Sequence, residues 1–498
     1  MVVLQWVSPA PPLRTGIANY TADFFASIDG RWTVHAVLEM GSEPGYFLSV
    51  QAIRSRDLDP QLATIVHLGN SEFHDLGFAV ATSTQPVLVL HDVFLHHARA
   101  ALAVRSGRTR QYWQELQSEY GNAGVAAGRS LFAGREAAEL VNYPMFEPFV
   151  RAARVIVVHS EFAAGEVRAR VPGADVRVVP MGIPLPATID RQDARRLLHI
   201  RPATFVIGSI THINPNKRIA VLLRALRRLI VDVPDTVLVL AGTGSDGALL
   251  SREIDMLGLR ANVRQLGYVD DFTARVVASG TDACVNLRFP TAGETSASLL
   301  RLLGAGLPVL ISEAGASAEL PPGVGLRIAP DEHEVEMIAM ILQKLAEDEQ
   351  LRQDAGAAAL DFVRQRHSMV NMVDGYRTVL HEAYGVALPG LESIPAEPPL
   401  GVPPAVRATR TPSVSVEQAT TAILELGLSA QTSALEQIGR AIAELGLDPA
   451  QASDAREPTA RLVSRLACPG CGGSMDNTRR CRTCGREVGL AGGVVDLR

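Results

Sequence analysis

The residues best equipped for chemistry are few, and they sit at the ends of strand-like runs. In FPTAGETSASLLRLLGAGLPVLIS, residues 289–312, a turn containing Gly293 delivers Glu294, Thr295 and Ser296 to the start of a helical pattern. Unpaired N–H groups at a helix start favour phosphate. A carboxylate in the same place can accept hydrogen bonds from hydroxyl groups, although an acidic first turn stabilises any helix. Lys217 follows a strand-like run in FVIGSITHINPNKRIAVLLRAL, where it is a point charge suited to a diphosphate or simply a solvated lysine. PVLVLHDVFLHH ends a strand with His91 and Asp92, and a strand end is where polar side chains meet a ligand. His96 and His97 lack the carboxylate–histidine spacing of a metal site. Gly16, after SPAPPLRT, would let a backbone turn approach an anion closely. NVRQLGYVDD would present Leu266, Gly267 and Tyr268 to a flat base. No nucleophile–base pair and no catalytic metal cluster is marked in this region. The chemistry such a set suits is positioning and electrostatic stabilisation of a bound anion.

A different chemistry is marked at the C-terminus. LACPGCGGSMDNTRRCRTCGREVGLAGGVVDLR holds Cys468 and Cys471 in one CxxC turn and Cys481 and Cys484 in another. Four thiolates on two tight turns suit tetrahedral structural zinc, with all ligands committed. Arg479, Arg480, Arg482 and Arg486 make this segment basic, which fits a protein partner better than nucleic acid in a chain of net charge -6.

The elements that must position these residues follow from the apolar patterning. VVLQWV, TIVHLG, PVLVLHD and VIVVHS, then FVIGSI, TVLVLAG, DACVNL and PVLIS, are each followed by a helical pattern. Runs apolar on both faces predict parallel strands under helices, hence a doubly wound α/β class. The 498 residues exceed one core. The predicted domains are 1–186 and 187–386, two Rossmann-like units facing a cleft. A proline-rich linker at 387–413, a short helical region at 414–460 and the cysteine segment at 461–498 follow. In the helical region AILELGL nearly repeats as AIAELGL, which suits a helical spacer or a homo-oligomer contact. The N-terminus has no basic leader and no run is long enough to span a bilayer, so the expected location is cytoplasmic or peripheral at the inner membrane.

Taken in order, TGIANYTADFF, VHLGNSEFHD, PVLVLHD, VIVVHSEFAA, VRVVPMGIP, VLVLAGTG, NVRQLGYVDD, TDACVNLRFPTAGETS and GAGLPVLIS resemble the family-4-type retaining glycosyltransferases of GT-B fold, over roughly residues 1–384. The resemblance implies transfer of a sugar from a nucleoside-diphosphate donor to a glycan, lipid-linked or other acceptor, with retention. It also implies a last helix that crosses back to the first domain. By the same resemblance Gly16 lies near the donor phosphates, His91 near the transferred sugar, Lys217 at the diphosphate and Glu294 on the sugar, with Thr295 and Ser296 donating to phosphate. The cysteine segment resembles a small zinc ribbon. Two departures stand out. The arginine usual beside the diphosphate lysine is replaced by His212 or Ser209, depending on where counting starts. Aligning on GLPV puts Arg301 where the second glutamate, the usual ribose acceptor, belongs, and Gly293 where the first does. A guanidinium only donates, so Arg301 suits phosphate, or an ion pair with Glu294 one heptad away. A decayed GT-B scaffold that binds partners and another sugar-nucleotide activity such as epimerisation are the alternatives.

Overall fold

The computed structural model describes residues 2–38, 47, 49–135, 138–244, 247–391, 489–491 and 494–496. The first unit of the chain, Met1–Gly401, is built on two parallel sheets. The first contains β1 (Val3–Ser8), β2 (Thr33–Leu38), β3 (Val50–Ile53), β4 (Ala63–Leu68), β5 (Val87–Leu90), β6 (Val155–Val158) and β7 (Val176–Val178), in the order β3-β2-β1-β4-β5-β6-β7. The second contains β8 (Phe205–Ile210), β9 (Thr236–Ala241), β10 (Val263–Gly267), β11 (Ala283–Asn286), β12 (Val309–Ser312) and β13 (Leu326–Ile328), in the order β10-β9-β8-β11-β12-β13. All eight apolar runs read from the sequence are central or near-central strands of these sheets. Strands β4, β5, β6, β11 and β12 are buried along their whole length, as helices on both faces require.

Strand order reverses between β1 and β4 in one sheet and between β8 and β11 in the other. The crevice beyond the carboxyl ends of strands at such a reversal is where an α/β sheet takes ligands. Helix starts at these ends are capped by their own sequence. Thr15 Oγ1 accepts from Ala18 N at 3.0 Å to start the helix Gly16–Ile28, and Ser296 Oγ accepts from Leu299 N at 3.3 Å to start Ala297–Gly304.

The helix Met369–Tyr384 follows the second sheet but packs on the first sheet's helix Gly16–Ile28. Its Tyr376 hydroxyl bonds Tyr20 Oη at 2.7 Å in the shared core, and Tyr384 donates to Thr64 O and Gln85 O at 3.2 Å. Among the described residues no helix is long and apolar enough to cross a membrane.

In the second unit, Gly489–Ala491 pairs antiparallel with Val494–Asp496. The proline-rich linker, the repeated helical pattern and Cys468, Cys471, Cys481 and Cys484 lie outside the described residues.

Candidate functional site

Glu294 lies in the turn ahead of the helix, not in its first turn. The cap is Ser296, and the helix begins at Ala297. This corrects the expectation that Glu294 opens the helix. Its Oε2 accepts from Thr291 Oγ1 and Ala292 N, both at 2.9 Å, and its Oε1 takes the Nη1 of Arg288 and lies 3.9 Å from Lys217 Nζ. The turn thus folds around the carboxylate and leaves it facing two cations.

Arg288 is the residue that sequence reasoning passed over. It follows β11, its N–H donates to Ser312 Oγ at 2.9 Å, and its Nη2 donates to Ser296 Oγ at 3.0 Å. An arginine thus stands with Lys217 on the same carboxylate oxygen, but it comes from a different strand end. His212, the sequence's candidate for the place beside the lysine, is exposed. Asn216 O accepts from Phe289 N at 2.8 Å, which ties the lysine loop to the arginine loop. The glycines of VLVLAGTG serve this loop too. A Cβ on Gly242 or Gly244 would collide with the carbonyls of Thr211 and Ile213, so the lysine loop rests directly on bare backbone.

The electrostatics follow from packing these groups together. Burial and then the neighbouring Arg288 lower Lys217 to about 7, against the pull of Glu294 and Asp92. Burial alone would raise the Glu294 carboxyl, but Arg288, Lys217 and the Thr291 hydroxyl outweigh it and hold it below the usual range. Asp92, next to His91, accepts from Asn70 N at 2.7 Å through Oδ2. Burial and then the Glu294 charge raise it to about 7. Below about pH 7 Lys217 and Arg288 are both charged, Glu294 is ionised and Asp92 is protonated, so the site there carries net positive charge and favours an anion.

The two lobes meet through these same loops. Val93 N donates to Ala292 O at 2.9 Å, so the strand end carrying His91 is stitched to the turn carrying Glu294. Gly293 has φ +81°, and a Cβ there would collide with Val93. Glu319 accepts from Glu161 N at 3.0 Å and from Phe162 N, so a carboxylate of the second lobe caps a helix of the first. Arg14 lies over the Tyr268 ring, 4.4 Å from its centroid. Leu266 and Tyr268 are 37% and 54% exposed, so neither is claimed by the protein core.

Arg301 does not pair with Glu294. Its Nη2 reaches across the lobes to Asp23 Oδ2 at 2.7 Å, on the helix that begins at Gly16. Glu294 is already held by Arg288, and Asp23 needs a cation because burial, with a smaller push from Asp271, raises its carboxyl against the pull of Arg301. The pair is partly exposed, so its net worth is about 1 kcal/mol or less. Arg301→Glu, which sets like charges face to face, is expected to lower the urea midpoint, and adding Asp23→Arg is expected to restore it. A second substitution that brings no recovery would rule out the pair as a stabilising contact.

The remaining predicted residues divide. His91 is buried at the end of β5, with Nε2 2.9 Å from His67 Nδ1. A Cβ on Gly16 would meet nothing within 4 Å, and the residue is not left-handed, so neither packing nor conformation of the protein calls for glycine there. Ser296 Oγ accepts from Leu299 N at 3.3 Å and from Arg288 Nη2 at 3.0 Å, and its own O–H lies beside Ser298 Oγ at 3.1 Å and Asn286 Oδ1 at 3.5 Å. Thr295 Oγ1 is buried with no partner among the described residues. His96 is held by Tyr143 O and Tyr112 Oη at 2.6 Å each. Among the described residues no group of three or more His, Cys, Asp or Glu side chains could hold a metal.

Residues 201–348 match the family described as glycosyl transferases group 1, and this stretch contains Lys217, Arg288, Glu294 and Arg301. No curated protein matches the chain. Among solved structures, Anabaena HepE in complex with UDP and glucose is similar at 16% identity and a TM-score of 0.56, over 77% of this chain and 100% of that one. The sucrose-phosphate synthase of Thermosynechococcus elongatus is similar at 15% identity and 0.53, with the same coverage. A glycosyltransferase of Rickettsia africae is similar at 13% identity and 0.53, over 77% of this chain and 98% of that one. The two-sheet frame is thus a GT-B fold, and its second sheet carries the sequence pattern of glycosyl transferases group 1.

Proposed function

We propose that the protein transfers a sugar, with retention, from a nucleoside-diphosphate donor to a glycan or lipid-linked acceptor. The observation that carries this reading is the trio of Lys217, Arg288 and Glu294, gathered from two strand ends beside His91 and Asp92. Lys217 and Arg288 take the diphosphate, and Glu294 takes sugar hydroxyls. Gly16 leaves open space for the donor. In the transfer step the bond from the anomeric carbon to the leaving phosphate oxygen breaks, and a bond to the acceptor oxygen forms on the same face. The acceptor proton passes to the departing phosphate. The two cations lower the barrier by neutralising charge that grows on the leaving group.

Uridine donors are the first to test, since the HepE complex holds UDP. Calorimetric titration with a panel of nucleotide sugars, followed by hydrolysis and transfer assays, is the experiment. Binding without turnover would favour a scaffold that has kept the fold, and failure of every donor to bind would sink the transferase reading. Donor affinity is expected to fall as pH rises above 7. The empty site loses the Lys217 proton and ionises Asp92 near that pH, and a bound diphosphate favours both protonated forms. Each proton taken up on binding weakens affinity by about tenfold per pH unit above its free pKa. Titration in buffers of different ionisation enthalpy reads the uptake directly, and a flat profile from pH 6 to 9 would overturn the expectation.

The structural-zinc reading of Cys468, Cys471, Cys481 and Cys484 rests on their CxxC spacing. So does the reading of that segment as a docking module for a protein partner.

A further inference from the structure

His91 is one of four histidines clustered beneath the site with His67, His74 and His159, and all four are buried. Burial, reinforced by their proximity for His67 and His91, pushes these two rings well below the usual histidine range, so both are neutral at pH 7. A neutral imidazole has one donor and one acceptor nitrogen, and the hydrogen bond made by one decides what the other can do. The His67 and His91 planes lie within 25° of each other, their centroids are 5.2 Å apart, and the nitrogens that face each other are 2.9 Å apart. This is an edge-to-edge contact, with the shared proton in the plane of both rings.

Two arrangements of that proton exist. If His91 Nε2 donates, His67 must carry its own proton on Nε2. His67 Nε2 is buried and has no partner among the described residues, so a desolvated N–H would be left unsatisfied. If His67 Nδ1 donates instead, only a lone pair is left there. Orphaned buried N–H groups are rarer than unsatisfied acceptors. The neighbours show the same choice. His159 Nδ1 faces Val179 O at 2.8 Å and His74 Nδ1 faces His67 O at 3.2 Å. A carbonyl only accepts, so both rings are protonated on Nδ1 and leave a bare, unpartnered Nε2.

We propose that His67 sets the tautomer of His91. His67 donates its Nδ1 proton to His91 Nε2, so His91 carries its proton on Nδ1, the ring atom with no protein partner among the described residues. His91 then meets a ligand as a hydrogen-bond donor and has no lone pair there with which to act as a base. His67 is a positioning residue. The donor role rests on the glycosyl-transfer reading, while the tautomer does not. It also agrees with a departing phosphate, and not a histidine, taking the acceptor proton.

The test is a long-range proton–nitrogen correlation spectrum of the full chain with 15N-labelled histidines, His91 being assigned by its loss in His91→Gln. Protonation on Nδ1 is expected, and protonation on Nε2 overturns the proposal. In transfer assays His67→Phe, which removes the donor, is expected to lower kcat by roughly tenfold. His67→Asn, which keeps an N–H near the Nδ1 position, is expected to stay within about threefold. Equal losses in the two variants, with the His91 tautomer unchanged in His67→Phe, would also overturn it. Nδ1 protonation in a protein that binds no nucleotide sugar would support the tautomer assignment and retire the transferase reading.

Discussion

Lys217→Ala is expected to lower sugar transfer by roughly 10²–10³-fold, the cost of deleting one preorganised charge at a developing anion. The lysine side chain is 10% exposed and lies 3.9 Å from Glu294 Oε1, with Arg288 on the same carboxylate oxygen. Its removal leaves Arg288 and Glu294 to neutralise one another, so the fold should persist, and an unchanged thermal midpoint checks that. Glu294→Ala is expected to abolish transfer as well, but it leaves two cations facing each other in a half-buried site. Glu294→Gln is the gentler probe, because it keeps an acceptor for the Thr291 hydroxyl and Ala292 N–H. Turnover within a few-fold of the parent in Lys217→Ala would sink the assigned chemistry.

The second large effect is on stability and does not depend on catalysis. Burial lowers His74 and His159 from 6.5 to about 4. A base whose folded value lies below its unfolded value takes up protons first in the unfolded chain. Stability is therefore full above pH 6.5 and lost as pH falls toward 4. At about 1.4 kcal/mol per unit, these two rings remove roughly 3 kcal/mol each over that window. His67 and His91, depressed further by burial and then by the neighbouring His159, act in the same direction. Set against a typical total of about 5–15 kcal/mol, the folded state should fail near pH 5, ahead of the range where ordinary carboxylates protonate. Urea midpoints from pH 7 to 4.5 should drop steadily. A midpoint that holds until pH 4 would show that these histidines are not buried neutral.

Strands buried on both faces were legible because nothing polar interrupts them, as in VIVV of β6 and VLIS of β12. The strands that the apolar pattern missed lie toward the sheet edges, where one face meets water. VQAI of β3, VRV of β7 and VRQLG of β10 carry polar residues for that reason. Within the site, Lys217 and Glu294 could be read because a turn and a helix start advertise them. Arg288 could not, since a lone arginine after a strand looks solvated until the chain folds back onto Glu294. The partner of Arg301 was beyond reach for a plainer reason. Asp23 stands 278 residues away on another lobe, and no local pattern links the two.

The stitch between Val93 and the Ala292–Gly293 turn bears on protein engineering. Exchanging whole lobes between relatives is an attractive way to pair a new acceptor surface with an existing donor site. In this chain the seam would cut a backbone hydrogen bond and a contact that tolerates no Cβ at residue 293. A chimera would have to carry the loop around Val93 and the turn around Gly293 as a matched set. Otherwise the halves would close out of register, and the hybrid would fold without aligning His91 with Glu294.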